Sequence, residues 1–165
     1  MIAFLTAGIV GLLTNFLTTK REDNKYRREL NLQRLNELYA PLKLLLAQDY
    51  VLAKQLQEGK PEGWHLLDNI DDVLADKHDM VIANQILDIN KKIAGILESK
   101  AGLAWVPMSE NFSTFLGHYA MLSRALQGRD FVRTAKFEYF PKGFEKDVDE
   151  AYAKLSQVLK KEASW

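Results

Sequence analysis

The chain has 165 residues, with 22 basic and 22 acidic side chains, 47% hydrophobic residues and no cysteine. That apolar fraction belongs to a globular protein rather than a disordered one, and the missing cysteines exclude disulfides, thiolate metal sites and cysteine nucleophiles. A balanced net charge gives no footing for non-specific nucleic-acid binding, which needs a concentrated basic face.

The charges that cancel overall are separated along the chain. Ile2 to Thr19 carries none, and Lys20, Arg21, Lys25, Arg27 and Arg28 follow at once. As a helix the uncharged run is about 27 Å long, just under the ~30 Å hydrocarbon core of a bilayer. A cleaved secretory signal has its basic residues before the apolar ones and a small-x-small site after them, and neither is present. The run therefore reads as a transmembrane anchor over residues 1–20. The positive-inside rule then leaves the N-terminus outside and makes residues 21–165 a cytoplasmic domain on the inner membrane. The five basic side chains fall at the lipid headgroups, each adding ~1 kcal/mol of attraction to an anionic leaflet. A core helix that is apolar all round is the other reading of the same run. Ala3, Ala7 and Gly11 recur every four residues, with Asn15 next on that stripe. Such a small-residue face lets two membrane helices approach closely, so a homo-oligomer is expected through it.

Arg21 to Glu58 reads as one long helix continuous with the anchor. Leu35, Leu38, Leu42, Leu45, Leu52 and Leu56 step along it by threes and fours, with Asp49 filling the one gap. Leu32, Tyr39, Leu46 and Ala53 widen this seam into a bundle face. Pro41 lies inside the pattern, where its missing N–H and its ring disturb the preceding turn, so a kink is expected over Glu37 to Pro41. Gly59-Lys60-Pro61-Glu62-Gly63 is a turn. The next helix is expected from Trp64 to Ala75 with Leu66, Leu67, Ile70, Val73 and Leu74 inward, followed by a longer one from about Asp79 to Lys100 with Ile82, Ile86, Ile89, Ile93 and Ile96 or Leu97 inward. Ser109 is a natural N-cap for a helix of about 110–127 that ends at Gly128. Residues 129–143 lack helical periodicity but hold Phe131, Phe137, Tyr139 and Phe140, enough aromatic surface to pack across the bundle. A last helix runs from about Phe144 to Ala163. The expected fold is all-α: a transmembrane helix continuing into the long helix of a cytoplasmic bundle of about four to five helices.

The Leu38-Tyr39-Ala40-Pro41-Leu42 stretch after a basic helix start resembles a pattern in small bacterial and prophage proteins of uncharacterised function, in which an anchor leads into a helix with a Leu-Tyr-x-Pro-Leu signature. Asn90 with its flanking Ile residues, Leu116-Gly117-His118 and Phe140-Pro141 are further echoes. The resemblance implies a membrane-tethered helical domain, brings no catalytic residues, and fits a prophage or phage-defence setting.

Two polar positions stand out. Asp49 is a carboxylate where the seam asks for Leu, and burying it demands a partner or a polar cavity. His118 lies on the flank of an apolar face beside Phe115 and Leu122. Neither it, His65 nor His78 has the helical spacing of a zinc or di-iron site, and Asp68, Asp71, Asp72, Asp76 and Asp79 lack the glycine-turned loop of an EF-hand and read as a solvated face. No catalytic, cofactor-binding or metal-binding residue is assigned. The functional expectation is a non-enzymatic interaction or regulatory protein with an unidentified protein partner. A membrane-perturbing oligomer that forms a pore or lesion through its N-terminal helix is the alternative, and an enzyme using His118 and Asp49 ranks third.

Overall fold

A computed structural model describes the backbone of residues 2–105, 108–129 and 139–163, and the side chains of 18–105, 108–129 and 139–162. The described elements are all helical: α1 (Ile2–Gln33), a π-helical turn (Arg34–Tyr39), α2 (Ala40–Gln57), α3 (Ile70–Ala75), α4 (Lys77–Lys100), α5 (Glu110–Leu126) and α6 (Lys142–Ala163), with short 3-10 turns at Leu67–Asn69 and Ala101–Leu103.

The disturbance at Pro41 takes the form of the π turn. A proline has no N–H to give the carbonyl four residues back, and its ring crowds that carbonyl. Here the backbone widens just before the proline, and Ala40 N–H donates to the carbonyl of Leu35, five residues back. The helix thus continues through the proline with one residue inserted, which turns α2 by ~100° relative to α1. The broad face expected to start at Leu32 is corrected by this rotation: Leu32 remains exposed, while Leu38, Tyr39 and Leu42 enter the core.

Gly59 and Gly63 adopt φ of 75° and 77°, where a side chain would be strained, and they shape the turn after α2. The helix expected over Trp64 to Ala75 is shorter than its hydrophobic pattern. Asn69 leaves helical geometry at φ −117° and ψ 33°, so only α3 follows it, and Leu74 points outward. Asp76 then caps α4 by accepting from the backbone N–H groups of His78 and Asp79 at 2.8 and 2.9 Å. These bonds hold its carboxyl below the ordinary range. The cap starts α4 two residues before the expected Asp79. It also turns Asp79 inward, where Lys60 pairs with it at 2.6 Å. Asp79 therefore does not belong to the solvated acidic face, whereas Asp68, Asp71, Asp72 and Asp76 are exposed.

Ser109 caps α5 as expected, accepting from Asn111 N–H at 3.1 Å. Beyond Leu126 the chain closes with two reverse bonds, Gly128 N–H to Ala125 O at 3.0 Å and Arg129 N–H to Arg124 O at 3.1 Å, and Gly128 takes φ 63°. This is the Schellman arrangement, and it requires a residue tolerant of the left-handed region.

The helices bury two apolar clusters. One joins Leu38, Leu42, Ile93, Phe115, Phe144 and Leu155, from the π turn and α2, α4, α5 and α6. Its centre is an aromatic stack of Phe115 on Phe144 at 4.6 Å between ring centroids, with Phe112 edge-on to Phe144 at 5.4 Å. The other joins Leu56, Val73, Ile82, Ile86, Met121 and Leu122, from the far end of α2 and from α3, α4 and α5. Phe140 packs against Phe115 at 5.8 Å, as expected of an aromatic segment laid across the bundle. Phe131 and Phe137 lie outside the described residues.

Candidate functional site

Three polar side chains separate the two clusters. On α2, Asp49 falls between Leu46 of the first and Leu56 of the second. On α4, Asn90 falls between Ile93 and Ile86, and on α5, His118 falls between Phe115 and Leu122. Each occupies an interior helix position that packing alone would fill with an apolar residue, and each is buried. The two polar positions singled out from sequence, Asp49 and His118, thus meet around one cavity of about 120 Å³.

Asn90 Nδ2 donates to Asp49 Oδ1 at 3.4 Å, a long bond for a buried carboxylate. Asn90 Oδ1 is fully buried and has no hydrogen-bond partner among the described residues. Such an orphan acceptor costs ~1–3 kcal/mol unless a guest or water satisfies it. Burial pushes the Asp49 carboxyl up to about 7, and the negative charge of Glu145 on α6 pushes in the same direction. Near neutral pH Asp49 therefore stands between its two protonation states, ready to accept a proton or a cation.

The remaining walls are apolar and aromatic. Leu56, Leu67, Ile86 and Leu122 close the inner side, and Trp64, His65, Tyr139 and Phe140 frame the other. His65 packs on Tyr139 at 4.5 Å and His118 lies edge-on to Phe140 at 5.7 Å, so the segment before α6 is tied to both the α2–α3 connection and α5. Outside, a larger groove of about 290 Å³ shares Asp49, His65, Tyr139 and Phe140 with the cavity and is flanked by Lys54, Lys142 and Glu145. Lys54 lies over the ring of Tyr50 at 5.3 Å, on the outer face of α2. Among the described residues no group of three His, Asp or Glu is placed to hold a metal ion.

Asn90 is the site residue that reasoning on sequence missed. Its spacing gave little signal, because Ile82, Ile86, Ile89 and Ile93 run unbroken beside it, unlike the leucine seam that Asp49 interrupts. Tyr139 and Phe140 belong to the aromatic segment expected to pack across the bundle, but Glu145, Trp64 and His65 had no comparable signal, because only tertiary packing brings α6 and the 58–66 connection to α2. The five proposed headgroup residues, Lys20, Arg21, Lys25, Arg27 and Arg28, are exposed along α1, with Lys25 within 3.9 Å of Glu29. Ala3, Ala7, Gly11 and Asn15 belong to the helical backbone of α1, but their side chains lie outside the described residues.

The fold and site define an all-α bundle with a buried polar cavity between two apolar cores. Comparison with protein families, curated proteins and solved structures yields no match.

Proposed function

We propose that this protein is a membrane-tethered helical interaction and regulatory module without catalytic activity, anchored by residues 1–20, with residues 21–165 on the cytoplasmic side. The observation that carries the reading is the continuity of one helical rod. α1 begins at Ile2 and passes through the π turn into α2, which supplies Asp49 to the cavity. An uncharged N-terminal segment, an exposed basic stretch and a cavity wall lie in that order on this rod. A change of packing around Asp49 has a direct mechanical route to the anchor, and an anchor that self-associates has the same route back.

Among the described residues no helix is long and apolar enough to cross a membrane, and the side chains of residues 2–17 are not among them. The anchor is therefore tested directly. The full chain and a version starting at Glu22 are expressed in bacteria, and membranes are washed in carbonate. The full chain is expected to remain in the washed membranes and the shortened chain to be soluble and helical. Release of the full chain by carbonate, together with aggregation of the shortened one, refutes the anchor and makes Ile2 to Thr19 a core helix.

A further inference from the structure

The walls of the cavity define a guest more closely than its volume does. Its lining includes the carboxylate of Asp49 and Asn90, whose buried Oδ1 is an orphan acceptor. When Asp49 is ionised, the Asn90 NH2 group faces it and Oδ1 is left as an unused acceptor. Such a pair calls for a guest that donates more than one hydrogen bond and carries positive charge. Water meets the first need but not the second, since no described cation is paired to Asp49, with Lys54, Lys142 and Glu145 lining the outer groove beside it.

The aromatic frame points the same way. Trp64, Tyr139 and Phe140 line the opening, Lys60 already lies over the Trp64 ring at 5.6 Å, and ring faces attract cations more strongly when water is excluded. The inner wall of Leu56, Leu67, Ile86 and Leu122 is suited to a short hydrocarbon. Apolar cavities of ~150 Å³ accept a guest the size of benzene, so 120 Å³ suits a chain of a few carbons, with the outer groove as its entrance. An anion in the cavity would meet the Asp49 carboxylate, and a neutral guest would leave the charge on Asp49 uncompensated.

We propose that the cavity between the two cores is a binding site for a small organic ammonium, its NH3+ group held by Asp49 and Asn90 and its hydrocarbon tail laid against Leu56, Ile86 and Leu122. This site is independent of whether α1 crosses a membrane. The guest's positive charge takes the place of a proton on Asp49, so binding strengthens as Asp49 ionises. The titratable, charged and amide groups that line the cavity and groove with Asp49 are Tyr50 and Lys54 on its own helix, Asn90 on α4, His118 on α5, His65 in the α2–α3 connection, Tyr139 just before α6, and Lys142 and Glu145 at its start.

The test is calorimetric titration of the full chain, in an uncharged mild detergent, with n-butylammonium, butan-1-ol and butanoate. The ammonium is expected to bind at least about tenfold more tightly than the alcohol, and butanoate not at all. Affinity for the ammonium should fall about tenfold from pH 8 to pH 6, as a group titrating near 7 goes from mostly ionised to mostly protonated. The Asp49→Asn variant keeps the shape of the side chain and should lose the preference for ammonium over alcohol and most of the pH dependence. Asn90→Leu should weaken ammonium binding while leaving alcohol binding in place. Equal affinity for ammonium and alcohol, absence of ammonium binding by the wild-type chain, or an unchanged ammonium affinity in Asp49→Asn would each overturn the proposal. If Asp49→Asn loses its helical circular dichroism, the wild-type pH comparison and Asn90→Leu decide the matter instead.

Discussion

Replacing Asp49 by Asn should stabilise the protein, and by an amount that depends on pH. The native carboxyl titrates at about 7 against an ordinary 3.8, so the folded state holds its proton more tightly than the unfolded state does. Below pH 3.8 both states are protonated and the group is neutral to folding. Between 3.8 and about 7 the unfolded chain releases the proton first, and the native state loses stability steadily as pH rises. Above 7 both states are ionised and the full penalty is present, roughly 4 kcal/mol from the difference between the two values. Asn keeps the shape and has no charge to desolvate. In the absence of added amine, Asp49→Asn should therefore gain up to roughly 4 kcal/mol over wild type at pH 8, and progressively less towards pH 4. The assay is denaturant unfolding of both proteins in the same detergent at pH 4, 6 and 8. The difference between them isolates Asp49 from every other group that titrates. A difference that is constant with pH, or that favours wild type more at pH 8 than at pH 4, would refute the account of Asp49 as a buried carboxylate paired only weakly by Asn90.

The other expectations concern the frame around the site. Phe144 is fully buried between Phe112 and Phe115, so Phe144→Ala should cost ~3–5 kcal/mol in denaturant unfolding, and a loss below ~1 kcal/mol would mean that the aromatic stack does not centre the core. A Cβ on Gly143 would lie 2.6 Å from Asn111 Oδ1, so Gly143→Ala should displace Asn111 from its 2.8 Å bond to Asp147 and cost ~1 kcal/mol. In an Asn111→Ala background that clash is gone and the same change should be neutral or stabilising; equal costs in the two backgrounds would exclude it. Ser109→Ala removes the α5 cap and its bond to Asp147, with an expected loss of ~1 kcal/mol and a lower thermal midpoint; an unchanged midpoint would show the cap to be idle.

Helix periodicity was legible because it is local. The leucine seam of α2, the isoleucine stripe of α4, the Ser109 cap and the Gly128 stop each depend on residues within a few turns of one another, and each is found where the residue pattern puts it. Pro41 announced a disturbance, but its form was not legible. A kink and a π turn answer the same missing donor, and the packing of Leu38, Tyr39 and Leu42 selects the π turn by rotating them into the core. Asp76 was read as a surface charge because a cap and a solvated carboxylate have the same composition, and only the backbone direction after it distinguishes them.

The polar layer divides in the same way. Asp49 stood out in the sequence because it broke a regular repeat, whereas Asn90 lies beside the unbroken stripe of Ile82, Ile86, Ile89 and Ile93. A residue that interrupts a hydrophobic stripe is a local fact about one helix. That Asp49, Asn90 and His118 meet from three different helices at the same level of the bundle, with Glu145 near enough to act on Asp49, depends on how far each helix slides along its neighbours. The amino-acid pattern by itself determined which helices form, which faces they bury and which residues fit those faces badly. Only tertiary packing decided that the misfits share one cavity, because relative helix height is set by side chains interlocking across helices and leaves no period in any one of them.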